Sequence, residues 1–85
     1  MSLCIEVKPG HYVTIAEATL ISADVELSSE EQYTMEAGEV VEIVETQLLA
    51  EDDRIRGELA EGGWISIMNT ANDFRWVKPW ARDVR

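Results

Sequence analysis

The stretch from Arg54 to Asn69 constrains the fold more than any other part of the chain. Arg54 to Leu59 and Trp64 to Met68 are short β-prone runs. Between them lies Glu61-Gly62-Gly63, and two glycines in a row supply the positive backbone angles of a tight hairpin. Similar runs recur on either side, each cut off by turn residues. Short strands punctuated this way specify a small all-β barrel or sandwich. Eighty-five residues suffice for one domain, with a core that is thin for its surface.

Upstream, Leu3 to Val7 reads as a short N-terminal strand extension and Lys8-Pro9-Gly10-His11 as a turn. Tyr12 to Ile15 is β-prone. Ala16 to Leu27 is irregular, and Ser28-Ser29-Glu30-Glu31 has the spacing of a helix start, good for one turn inside a long loop. Tyr33 to Thr46 holds two signals. Val40, Val41, Val44 and Leu48 sit at helical spacing, which allows an amphipathic helix from Glu36 to Ala50. Gly38 and the β-branched residues of 40–46 favour a strand instead, with Val41 and Ile43 on one face and Val40, Glu42 and Val44 on the other. Thr46 to Asp53 reads as a loop, Asn69 to Asp73 as a turn, and Phe74 to Trp80 as a last strand. Pro79 places that strand at an edge or an end.

With the strands set out, the chain resembles the SH3 domain, or more broadly an SH3-like barrel, from about Tyr12 to Pro79. The run Tyr33-Thr34-Met35-Glu36-Ala37-Gly38-Glu39-Val40-Val41-Glu42-Ile43-Val44-Glu45 is similar to the family's second-strand signature. The resemblance implies core positions at Tyr33, Met35, Val41 and Ile43. Arg56-Gly57-Glu58-Leu59 and Gly63-Trp64-Ile65-Ser66 are similar to the next two strands, with Ile65 at a buried position. Ala16 to Gln32 and Thr46 to Asp53 stand for the family's two long loops. The implied architecture is a five-stranded barrel with its core at about 12–79, an extension at 1–11 and a tail at 80–85. The ligand pocket departs from the pattern. The first loop lacks the tyrosine motif, Asp53-Arg54-Ile55 stands where a tryptophan pair begins, Ser66 replaces the pocket proline, and Asn69 falls near the pocket tyrosine. The resemblance therefore implies the shape without the groove for proline-rich segments.

Charge narrows the function. The net charge is −10; residues 1–53 carry 13 acidic residues against Lys8 alone, and residues 54–85 carry four acidic and six basic residues. Such a surface repels a phosphate backbone, so nucleic acid is not expected as a partner. It attracts a basic peptide or protein surface. Glu26, Glu30, Glu31, Asp52 and Asp53 are the candidate attracting residues, with Trp64 and Trp76 as apolar anchors and Ser66 and Asn69 as the floor. Against solvated charge as the plain alternative, the two halves can also neutralise each other on adjacent strands. The tail Arg75 to Arg82 interleaves basic and aromatic residues, which suits docking on the acidic loop of its own or a second copy, making a homo-oligomer.

Catalytic patterns are missing. His11 stands alone in a turn, no Cys/His set has zinc spacing, and no glycine-rich loop opens a helix. Glu51-Asp52-Asp53 offers hard oxygens without EF-hand spacing and reads as an acidic loop tip. No enzyme, metal or cofactor is expected. Nor is a membrane segment, since no apolar run reaches about 18 residues. The lone Cys4 fits a reducing, cytoplasmic setting. The expected function is a non-enzymatic interaction module. A self-associating structural domain and an accessory piece of a larger enzyme are the alternatives.

Overall fold

A computed structural model describes residues 7–80. Seven strands run through it: β1 (Gly10–Thr14), β2 (Thr19–Ser22), β3 (Glu31–Met35), β4 (Val40–Leu49), β5 (Arg54–Leu59), β6 (Trp64–Asn69) and β7 (Val77–Pro79). They form one antiparallel sheet in the order β3-β2-β6-β5-β4-β1-β7. The all-β class expected from the sequence holds, with seven strands in place of five.

The sheet curls until its far part meets itself. Arg75 bridges Met68, and the Trp76 N–H donates to the Ile67 carbonyl at 3.0 Å, so the chain leading into β7 lies against β6. β6, β5, β4, β1 and β7 thereby close a ring around the core. The β2–β3 hairpin hangs from β6 through Ile21 opposite Ile65 and Ser22 opposite Trp64.

Alternation fills the ring. Tyr12, Ile21, Val41, Ile43, Ile55, Leu59, Ile65, Ile67, Met68 and Val77 form the buried core, with Val7, Met35 and Trp76 packed against it. In β4 the strand reading prevails over the helical one: Val41 and Ile43 point inward while Val40, Glu42 and Val44 face out. Gly62 and Gly63 have φ of 107° and 93°, the positive angles that the β5–β6 turn requires.

Several sequence expectations need correction. Thr46 to Leu49 is strand, because β4 keeps pairing with β5 as far as Leu49 opposite Arg54; only Ala50–Asp52 leaves the ladder, as one 3-10 turn. No helical turn forms at Ser28 to Glu31. The Ser29 hydroxyl instead closes the loop on itself, donating its one hydrogen to the nearer Glu26 carbonyl at 2.7 Å, with the Asp24 carbonyl at 3.0 Å, and accepting from the Asp24 N–H. Within the irregular stretch, Thr19–Ser22 pairs as β2. The last strand is shorter than expected, Val77–Pro79, and Pro79 sits on the edge strand as its missing N–H demands. His11 lies on β1. Tyr33, placed in the core by resemblance, is 45% exposed, since β3 is the outer strand of the hairpin and no described element covers that face. The expected strand Leu3 to Val7, Cys4, and the tail beyond Trp80 lie outside the described residues, apart from Val7.

Tyr12 ties the start of the ring to its core. Its ring is buried, and its hydroxyl donates to the Lys8 carbonyl at 2.6 Å. Burial raises its pKa above the ordinary 10, against a smaller opposing effect of the Arg75 charge. An acid whose folded pKa is raised contributes stability that is present below its unfolded pKa and is lost as pH climbs through the folded one. Tyr12→Phe should cost about 1 kcal/mol near neutrality. Urea midpoints of the two proteins should converge as pH rises above 10. A gap that stays constant through that range would show that Tyr12 does not carry the alkaline limb.

Candidate functional site

Two surfaces combine concavity with chemistry. The first is a groove of about 380 Å³ between the start of β4 and the β5–β6 turn. Met35, Val41 and Leu59 supply apolar lining, and Glu39, Glu42 and Glu61 supply charge. The strand period builds it. Val41 points into the core, so its neighbours Val40 and Glu42 face outward. The Ala60 N–H donates to the Glu42 carbonyl at 2.9 Å, which holds the turn bearing Glu61 against β4. Glu39 is partly engaged, accepting from the Glu36 N–H at 3.2 Å. No described cation pairs with any of these carboxylates within 4 Å.

The second surface is a cleft of about 230 Å³ between the β2–β3 hairpin and the outer face of β5 and β6. Arg54, Arg56, Ser22, Ser66 and Trp76 line it together with Ala18, Leu20 and Leu27. Arg54 and Arg56 sit two apart on β5 and therefore share a face. Arg56 is only 3% exposed. Its guanidinium donates to Ser66 Oγ at 2.8 Å, to Ser22 Oγ, and to the Val25 carbonyl at 3.2 Å, with the Asp24 and Trp64 carbonyls at 3.5 Å. Burial, and secondarily the Arg54 charge, push its pKa down to about 10, so it remains a cation at neutral pH. Arg54 donates to the same Ser66 Oγ at 3.1 Å and lies over the Trp76 ring at 4.6 Å, a cation–π contact. Phe74 meets Trp76 edge-on at 4.9 Å.

The residues nominated from sequence are distributed over both surfaces and the loops around them. Glu26, Glu30 and Glu31 are exposed on the β2–β3 hairpin, and Asp52 and Asp53 are exposed at the β4–β5 turn. Trp64 is half-buried, paired with Ser22 and Glu58 across β6. Trp76 is half-buried beneath Arg54. Ser66 is not an open floor: it is buried, and two guanidinium groups reach its oxygen. Asn69 belongs to neither surface. Its Oδ1 accepts from the Ala71 N–H and shapes the turn after β6. Arg75 to Trp80 are used within their own chain, bridging β6, pairing with β1 and placing Trp80 beside His11 at 6.4 Å between ring centroids.

Sequence reasoning missed Glu39, Glu42 and Glu61, and it missed Arg54 and Arg56. The outward alternation of β4 could have found Glu42. The arginine pair had a signal too, two cations on one face of a strand, but nothing in the sequence places the hairpin over them. Among the described residues no three His, Cys, Asp or Glu side chains converge as a metal site, and no helix is long and apolar enough to cross a membrane. Comparison with known proteins returns no match, whether against family models, curated proteins or solved structures.

Proposed function

We propose that this chain is a non-enzymatic protein-interaction module on an SH3-like barrel, and that it takes a basic, partly apolar segment of another protein. The topology supports the barrel: a hairpin inserted between the first strand and a long β4, and a ring closed by a short last strand against the first. The observation that carries the partner chemistry is the groove lined by Glu39, Glu42 and Glu61 over apolar residues, its carboxylates free of described cationic partners. A lysine or arginine side chain lays its methylenes on Val40 and Leu59 and its charge at the rim. The exposed Glu26, Glu30, Glu31, Asp52 and Asp53 add long-range attraction, which speeds encounter more than it deepens affinity.

Peptides selected from a random display library against the full chain test this. The expected winners are rich in Lys or Arg and perturb backbone amides of 39–42 and 59–61. Their affinity falls about tenfold or more between low and physiological salt, and again in Glu42→Gln/Glu61→Gln, whose thermal stability stays within about 0.5 kcal/mol of the parent. Winners without basic residues, or with salt-independent binding, overturn the reading.

A further inference from the structure

The cleft over β5 points to a different chemistry, independent of the acidic groove. We propose that it is a receptor for a single carboxylate carried on an apolar segment of a partner protein.

The argument is a count of donors. A hydroxyl has one hydrogen to give and two lone pairs to receive. Ser66 Oγ receives from Arg54 Nη1 and Arg56 Nη1, so both lone pairs are taken and its own hydrogen is left to donate. No acceptor among the described residues takes it, although Ser66 is 94% buried by its 6% exposure. Ser22 shows the contrast: its hydroxyl also receives from Arg56, and it passes its hydrogen to the Asp24 carbonyl at 3.0 Å. Arg54 adds to the surplus. Its Nε is buried without a partner, and of its terminal nitrogens only Nη1 has a described acceptor. Two cations and at least two orphan donors thus meet in one cleft, and every described acceptor there is neutral. Among the described residues of a protein of net charge −10, no carboxylate pairs with either arginine.

The missing group is an anionic acceptor, since such hydrogen bonds are about twice as strong as neutral ones. Its size is limited. About 230 Å³ lies below the range of roughly 300–1,000 Å³ usual for cofactor-sized ligands, and suits one side chain or a chain terminus. Its surroundings are apolar, with Ala18, Leu20 and Leu27 on the hairpin side and the Trp76 ring below. A polyphosphate or nucleic acid meets the repulsion of the acidic surface. One carboxylate flanked by aliphatic residues does not carry that burden.

The test titrates the full chain, labelled with nitrogen-15, with three capped peptides and with inorganic phosphate. Ac-Leu-Glu-Leu-NH2 offers a side-chain carboxylate, Ac-Leu-Leu-OH a terminal one, and Ac-Leu-Gln-Leu-NH2 neither. The expected result is a shift of the Arg54 Nε–H and Trp76 indole resonances by at least one of the acids, with affinity about tenfold or more above the glutamine peptide. Which acid wins assigns the source. Ser66→Ala should weaken that binding severalfold. Arg54→Lys should do the same, because an ammonium keeps the charge and loses the fork. Glu42→Gln/Glu61→Gln should leave it unchanged. Equal binding of the glutamine peptide, binding of phosphate as tight as that of the better acid, or failure of both acids to move Arg54 overturns the proposal.

Discussion

Arg56→Ala is expected to lower the unfolding free energy by about 2–4 kcal/mol, the largest effect of any single polar substitution in the described chain. The guanidinium is a buried strut. It joins Ser22 at the root of the hairpin and the Val25 and Asp24 carbonyls in its loop to Ser66 on β6. Removing it strands these acceptors away from water and empties the space its methylenes fill. Relief from burying a cation returns only part of the loss, because the fork satisfies so many neutral oxygens at once. For a domain of this size the melting temperature should fall by roughly 10–20 °C. Amides of the β2–β3 hairpin, such as the Ala23 N–H that donates to the Glu30 carbonyl, should exchange sooner than those of β5. Arg56→Lys should recover less than half of the stability, since one ammonium cannot span these partners. Thermal melts followed by tryptophan fluorescence decide the matter, and a loss below about 0.5 kcal/mol would mean that the hairpin is held by its sheet pairing alone.

Gly57→Ala is the second large effect, and its cause is space. Gly57 lies on β5 with its inward side against the core. A Cβ there would stand 2.8 Å from Ile43 Cγ2 and 2.9 Å from Ile67 Cδ1, well inside the 3.5–4.0 Å of normal carbon contacts. The φ of Gly57 is not among the positive ones, so backbone strain plays no part. Overpacking of this kind costs about 1–3 kcal/mol. The missing side chain is thus what lets Ile43 and Ile67 meet across the ring. Ile67→Val removes one of the clashing carbons, so Gly57→Ala/Ile67→Val should cost less than the two single substitutions added together. Strict additivity in urea denaturation would place the damage elsewhere.

Much of the fold could be read from the order of residues, and the reason is period. Val41 and Ile43 against Val40, Glu42 and Val44 fix the faces of β4, and Gly62-Gly63 fixes the turn after β5. The misreadings share one origin, which is that pairing partners are distant in sequence. Thr46 to Leu49 runs into the acidic Glu51-Asp52-Asp53 and reads as part of that loop, yet β5 holds it in register. Tyr33 has a core residue's chemistry, but the hairpin ends at β3 and leaves it in water. The candidate sites were legible only in part for the same reason. Acidic character was evident, but the groove gathers Glu39 and Glu42 with Glu61 from across a strand pair. Ser66 and Trp76 were singled out, but as an apolar, acidic-rimmed surface. The folded chain sets them beside two arginines and reverses the charge of their surroundings.

The closure of the ring also bears on how the protein comes into being. β4, β5 and β6 are joined by short turns and can zip locally. The β1–β7 ladder, with Tyr12 opposite Pro79 and Thr14 opposite Val77, joins positions most of the chain apart. Those pairings pay the largest loop-closure entropy and form late. During synthesis on a ribosome, β1 therefore waits with one edge open until residues 77–79 have left the exit tunnel. Throughout that interval the core is held by a meander that is one wall short.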